Sequence, residues 1–273
     1  MTPVSKAVAS AYIRPMGNRT GIEWTNITWN PVTGCTQVSP GCDNCYALTL
    51  ANRLLREHYT KRRPQRETPQ TRRDPFAVRL WPERLDEPFG WHRSQRVFVN
   101  SMGDLFHVDV PHAFVRAVFR VMLETPQHIY QILTKRPSRM ARFVEKNSAL
   151  FSDGVVPSHI WLGTSIEDDR VAYRADHLRQ VNALVRFLSC EPLLGPVRVD
   201  LQGIHWVIAG GESGIRHRPM NLNWVRQLRD DCLVADVPFF FKQVGGRTPK
   251  AGGRSLDGRT WNQYPDVPFA VLA

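Results

Sequence analysis

Apolar residues in this chain fall into short runs that end in polar or glycine-rich turns, and several are followed by stretches of helical spacing. Ile22 to Trp29 alternates well enough for a first strand. Val97-Phe98-Val99 ends in Asn100-Ser101-Met102-Gly103-Asp104, and Ile129 to Leu133 ends in Thr134-Lys135-Arg136-Pro137. Ile160 to Leu162 runs into Gly163-Thr164-Ser165-Ile166-Glu167, and Val185 to Leu188 into Ser189-Cys190-Glu191-Pro192. Trp206 to Ile208 precedes Ala209-Gly210-Gly211-Glu212-Ser213, and Pro238 to Phe241 precedes Lys242-Gln243. Runs that are apolar throughout are buried on both faces, as the strands of a parallel sheet are. Phe114 to Thr125 and Trp224 to Ala235 leave room for helices between them, so the chain reads as a repeated βα unit in an α/β fold. Seven candidate strands fall short of a closed eight-stranded barrel. Chemistry in such folds gathers at the carboxyl ends of the strands, and the polar motifs lie there.

The pattern lapses in three places. Residues 1–20 carry Gly, Pro and small residues without periodicity and read as an N-terminal arm or a strap across the barrel. Within the barrel, taken as 21–244, the stretch 60–85 holds eight basic residues against Glu67, Asp74 and Glu83 and is broken by four prolines. It reads as an exposed insertion rather than a packed element. Arg62, Arg63, Arg66, Arg72 and Arg73 are then available to phosphates, although a solvated linker without a partner has the same composition. Residues 245–273 read as a C-terminal lid or tail, with Arg247, Lys250, Arg254 and Arg259 near substrate and Trp261 and Tyr264 favouring docking.

The net charge of +11 and the sequence pI near 9.9 suit a partner with a phosphate backbone. No run approaches the length of a membrane-spanning helix, and the first residues lack the apolar core of a secretory signal. The five cysteines are too unevenly placed for an extracellular disulfide framework. A cytoplasmic protein with no membrane partner is expected.

Three of those cysteines, Cys35, Cys42 and Cys45, fall within eleven positions in a C-x6-C-x2-C spacing. Gly34, Gly41, Pro31 and Pro40 make this stretch a wrapped loop, which can turn several thiolates toward one point. Structural zinc is four-coordinate and would need a further ligand, for which His58, Cys190 and Cys232 are candidates. A 4Fe–4S cluster held by three cysteines leaves one iron open. From Tyr46 the apolar residues repeat at helical spacing, so a helix leaves Cys45 with its N-terminal amides aimed back at the sulfurs.

The triplet resembles the cluster motif of radical S-adenosylmethionine (SAM) enzymes. Its first gap is three residues longer than their common C-x3-C-x2-C, and its aromatic residue, Tyr46, follows the third cysteine rather than preceding it. The Cys45-Tyr46 ending looks like that of spore photoproduct lyases. Taken with the strand-end motifs after Gly21, the chain resembles a phage and bacterial three-cysteine-motif family catalogued as a domain of unknown function.

These resemblances imply an incomplete parallel (β/α) barrel of about six to seven strands, a 4Fe–4S cluster on Cys35, Cys42 and Cys45, and SAM. Asp104, with Ser101, would receive the SAM amino group; Lys135 and Arg136 would face its carboxylate. Thr164, Ser165 and Glu167 suit its ribose. Glu191, Glu212 and Lys242 fall to the substrate side. Cys190 and Cys232 stay open as buried thiols, extra ligands or hydrogen-atom donors. The expected function is a radical enzyme that modifies or repairs nucleic acid, DNA in preference, supplied by an electron-donor protein. The alternative is a zinc-stabilised nucleic-acid-binding protein without catalysis.

Overall fold

The computed structural model describes residues 19–267. The expected N-terminal arm, apart from Arg19 and Thr20, and residues 268–273 of the expected lid lie outside the described residues. The strands are β1 (Ile27–Trp29), β2 (Val32–Thr33), β3 (Arg79–Leu80), β4 (Arg96–Val99), β5 (Ile129–Thr134), β6 (Val156–Ser165), β7 (Ala183–Cys190), β8 (Trp206–Gly210), β9 (Phe239–Gln243), β10 (Ser255–Leu256) and β11 (Arg259–Thr260). The helices are α1 (Tyr46–Arg53), α2 (Arg56–Thr60), α3 (Pro69–Arg73), α4 (His112–Glu124), α5 (Pro137–Lys146), α6 (Arg174–Arg179) and α7 (Leu222–Val234). None is long and apolar enough to cross a membrane.

Seven strands form one sheet in the order β1-β4-β5-β6-β7-β8-β9, every neighbouring pair parallel. All seven expected strands are there, in chain order. Side chains alternate across the sheet. Val97, Ile132, Leu162, Leu188, Val207 and Phe239 pack with residues of α4, α5 and α7 in the larger core. Phe98, Trp161, Phe187, Trp206 and Phe240 face the other way and meet in a second core.

That second core shows the sheet curling into a half-barrel. The rings of Trp161 on β6 and Trp206 on β8 lie 5.5 Å apart although β7 separates their strands. Trp24 reaches both Phe98 at 4.7 Å and Trp206 at 6.2 Å. The first strand therefore begins at Ile27, not Ile22. Residues 22–25 instead turn beneath the sheet, where burying Trp24 among aromatics outweighs extending β1.

The half-barrel does not close between β1 and β9. Arg19 pairs with the outer edge at Ile27 and Asn262 with Phe240, so both edges are covered. Tyr264 stacks on Trp206 at 5.2 Å, and Arg254 pairs with Glu23. The C-terminal segment thus docks, as Trp261 and Tyr264 suggested. It lines the β9 edge and the amino end of the lumen, however, rather than covering the carboxyl-end mouth as a whole; Arg254 and Arg259 are spent on Phe240 and Trp261.

The insertion is exposed over most of 61–74, as expected, but its end, 75–81, is packed, which corrects the expectation that it holds no packed element. β3 pairs antiparallel with β2, and Thr68 and Thr71 form a capping box at α3. Arg79 is fully buried, its guanidinium donating to the carbonyls of Arg62, Ala77 and Thr71. Trp81 is buried, with the guanidinium groups of Arg62 and Arg84 at 4.4 and 4.1 Å from its ring centroid and His58 stacked on it at 5.0 Å.

Candidate functional site at the barrel mouth

The cysteine loop leaves β2 and crosses the carboxyl ends of the strands. Its start is fixed by Gly34, which holds φ +88° and would put a Cβ 2.3 Å from the Ala77 carbonyl oxygen. Only glycine fits there. Gly34 N donates to Met102 O beyond β4, and Cys35 N to Phe76 O in the insertion, so Cys35 is set by both.

Three buried carboxylates then anchor the loop. Asp104 accepts from Thr134 Oγ1 at 2.7 Å, from Phe106 N at 2.9 Å and from Arg136 Nη1 at 2.7 Å. Arg136 in turn donates to Cys35 Sγ at 3.4 Å and to Thr36 O and Oγ1 at 3.0 Å. His107 Nε2 closes this network on Thr36 Oγ1 at 2.9 Å. Glu167 accepts from Ser39 Oγ at 3.0 Å and is paired with Lys135 at 2.5 Å and Arg174 at 3.1 Å. A Cβ on Gly41 would stand 2.4 Å from the Glu167 Cγ, so the loop rests directly on this side chain. Glu212 accepts from Asn44 Nδ2 at 2.9 Å and forms a two-pronged pair with Arg218, which also reaches Pro40 O and Asp43. Burial works to raise the Glu212 pKa, but donation from Arg218 and Asn44 prevails and holds it below the ordinary carboxylate value.

The three thiols are free and part-exposed. Burial and then the Asp104 charge push Cys35 up to about 11, against the pull of Arg136. Burial also raises Cys45, opposed by the amides of Leu48 and Ala47 at the start of α1, although no closed cap hydrogen bond is formed there. Cys42 is close enough to both for its charge to raise them. At neutral pH Cys35 carries its proton, which a metal must displace. Among the described residues, no group of three or more His, Cys, Asp and Glu side chains is placed to hold a metal ion. The three thiols share one loop, near the cations of Arg136 and Lys135 and the start of α1.

The other expected residues divide. Ser101 donates to Asn30 Oδ1, and its carbonyl accepts from Tyr46. Ser165 shares a register with Ser189 on the lumen face, one pleat beyond Gly163. Thr164 lies on the helix-facing side with Leu162 and Leu188 and donates to Thr134 O; a ribose contact is not open to it. Glu191 and Lys242 form an ion pair with side chains 20% and 16% exposed. The Tyr46 hydroxyl is enclosed, its pKa raised by burial and then by Cys45 and Glu191, while the residue as a whole is 49% exposed.

The open question of Cys190 and Cys232 resolves to buried thiols. Both lie in the helix-side core with pKa raised by burial, Cys232 to about 12. His58 is held by Trp81 and Arg84. In the insertion, Arg62 and Arg72 are paired with Glu83 and Glu67, while Arg63, Arg66 and Arg73 are exposed. Sequence reasoning missed Asn44, Arg174 and Arg218. They anchor loop and mouth across distances for which the chain carries no motif.

No curated protein and no solved structure matches the chain. A family profile described as a protein of unknown function, DUF5131, spans residues 19–265, from beside the first strand to the residue after Tyr264. By that match the chain belongs to the DUF5131 family.

Proposed function

We propose that this protein is an iron–sulfur, SAM-dependent radical enzyme that modifies or repairs nucleic acid, DNA in preference. The observation that carries the reading is the cysteine loop, pinned by Asp104, Glu167 and Glu212 across the carboxyl-end mouth of a parallel half-barrel. A purely structural zinc knot needs no such anchorage over a lumen. Its fourth ligand is also hard to supply, because Cys190, Cys232 and His58 are committed elsewhere.

In this reading Cys35, Cys42 and Cys45 hold a 4Fe–4S cluster, which with SAM supplies one-electron, hydrogen-abstracting chemistry. Arg136 and Lys135 offset the negative charge of the thiolates. The aromatic lumen beneath excludes water from reactive species, with Trp161, Phe187 and Trp206 fully buried. Glu191 and Lys242 face the substrate.

Anaerobic reconstitution with iron and sulfide, followed by a SAM cleavage assay, tests the proposal. The protein should turn brown, and Cys35→Ala, Cys42→Ala and Cys45→Ala should each bleach it. A colourless protein carrying one tightly held zinc would sink the idea.

A further inference from the structure

Four carboxylates stand at the strand ends around the mouth, and three are taken up in holding the cysteine loop. Glu191 is different. Past the end of β7, its one side-chain partner among the described residues is Lys242 of β9, which has no other. A carboxylate accepts about four hydrogen bonds and an ammonium donates three, so most of this pair's capacity is unspent. Both side chains are part-exposed. Gly210 of β8 lies between them: a Cβ there would come within 3.5 Å of both Glu191 Cδ and Lys242 Cβ, and its absence leaves the wall flat. Tyr46 opens α1 on the same mouth, its hydroxyl tethered to Ser101 O and within reach of the Glu191 charge, and the residue is 49% exposed.

A free anion would be repelled by Glu191 and a free cation by Lys242. An adjacent donor and acceptor instead suit a neutral ring whose edge offers both, and the tethered, exposed aromatic face suits stacking. We propose that the mouth takes a single unstacked nucleobase, its ring laid on Tyr46 and its hydrogen-bonding edge read by Glu191 and Lys242. This rests on the reading of the mouth as a nucleic-acid-modifying site and narrows it to one base. A base inside a duplex has its faces stacked and its edge paired, so the substrate is single-stranded or flipped.

The test compares binding of a short single-stranded oligothymidylate with binding of an abasic oligomer of the same length and charge. Fluorescence anisotropy on the full chain serves for both. The wild type should prefer the base-bearing strand by about tenfold or more, the scale of one stacked and hydrogen-bonded base. Tyr46→Ala, Glu191→Gln and Lys242→Met should each shrink that preference, the two charge changes moving affinity for both strands alike, and Tyr46→Phe should retain it. Equal affinities in the wild type, or a preference that survives all three changes, overturns the proposal. Visible absorbance in the same samples separates it from the proposed chemistry. An iron-loaded, SAM-cleaving protein without base preference removes the base site alone. Base preference in a protein that never takes up iron keeps the site and removes the radical enzyme.

Discussion

At the residue scale the acids around the mouth look alike in sequence, and only their partners tell them apart. Asp104, Glu167, Glu191 and Glu212 all follow apolar runs, so their positions at strand ends were legible. Their tasks were not, because the groups that engage Asp104, Glu167 and Glu212, namely Thr134, Ser39, Arg174, Asn44 and Arg218, arrive from segments at no fixed spacing, and Glu191 has none of them. Glu212 gives the sharpest test. Its folded pKa is depressed below the ordinary 4.5, so its contribution is fully present above that value and is lost as pH falls through the folded one. Glu212→Gln keeps the shape but loses charge-assisted bonds to Arg218 and Asn44. It should cost about 1–3 kcal/mol in urea unfolding near neutrality. The gap to wild type should close in acid below pH 4.5, and a gap that persists there would deny the pair its electrostatic character.

Between residue and fold, the 60–85 insertion shows where composition misleads. Arginines and prolines read as an exposed insertion with no packed element because a sequence displays charges but not the carbonyl oxygens that satisfy them. Arg79 is buried against three such oxygens, and Trp81 against two guanidinium groups. The seven sheet strands were legible for the opposite reason, since apolar runs announce two-sided burial directly. The packing also sorts the arginines that face solvent. Arg62 and Arg72 are neutralised by Glu83 and Glu67, whereas Arg63, Arg66 and Arg73 are exposed with no acidic partner among the described residues. If this face tracks a phosphate backbone, log–log plots of duplex affinity against salt should steepen by about 0.9 per phosphate neutralised. Reversing the charge of Arg63, Arg66 and Arg73 together should flatten the slope, and the same changes at Arg62 and Arg72 should do less. A slope equal in both triple and double variants to that of the wild type would place nucleic acid elsewhere.

Across the whole molecule, the feature least visible in sequence was how the open half-barrel is sealed. Alternation along the strands shows that a second face exists, but not that Trp24 from before β1 and Tyr264 from beyond β9 meet on Trp206. The same burial that makes this fold hold together makes it sensitive to acid. His107, His128, His159 and His205 lie in four different parts of the chain, and burial lowers the pKa of each below the ordinary 6.5. His107 is also opposed by Arg136 and His205 by Arg186, while His128 and His159 are each pulled part of the way back by one carbonyl, of Pro88 and Met122. The unfolded chain therefore binds more protons than the folded one below pH 6.5, and stability rises with pH through that window. Stability should be full above about pH 6.5 and fall as pH drops through the folded values, before the carboxylates contribute. Urea midpoints measured from pH 8 to pH 5 should decline below 6.5, and His159→Gln, which removes one of the four, should make the decline shallower. Midpoints that stay level down to pH 5 would mean that these imidazoles gain charge without cost, and that the interior around them admits water freely.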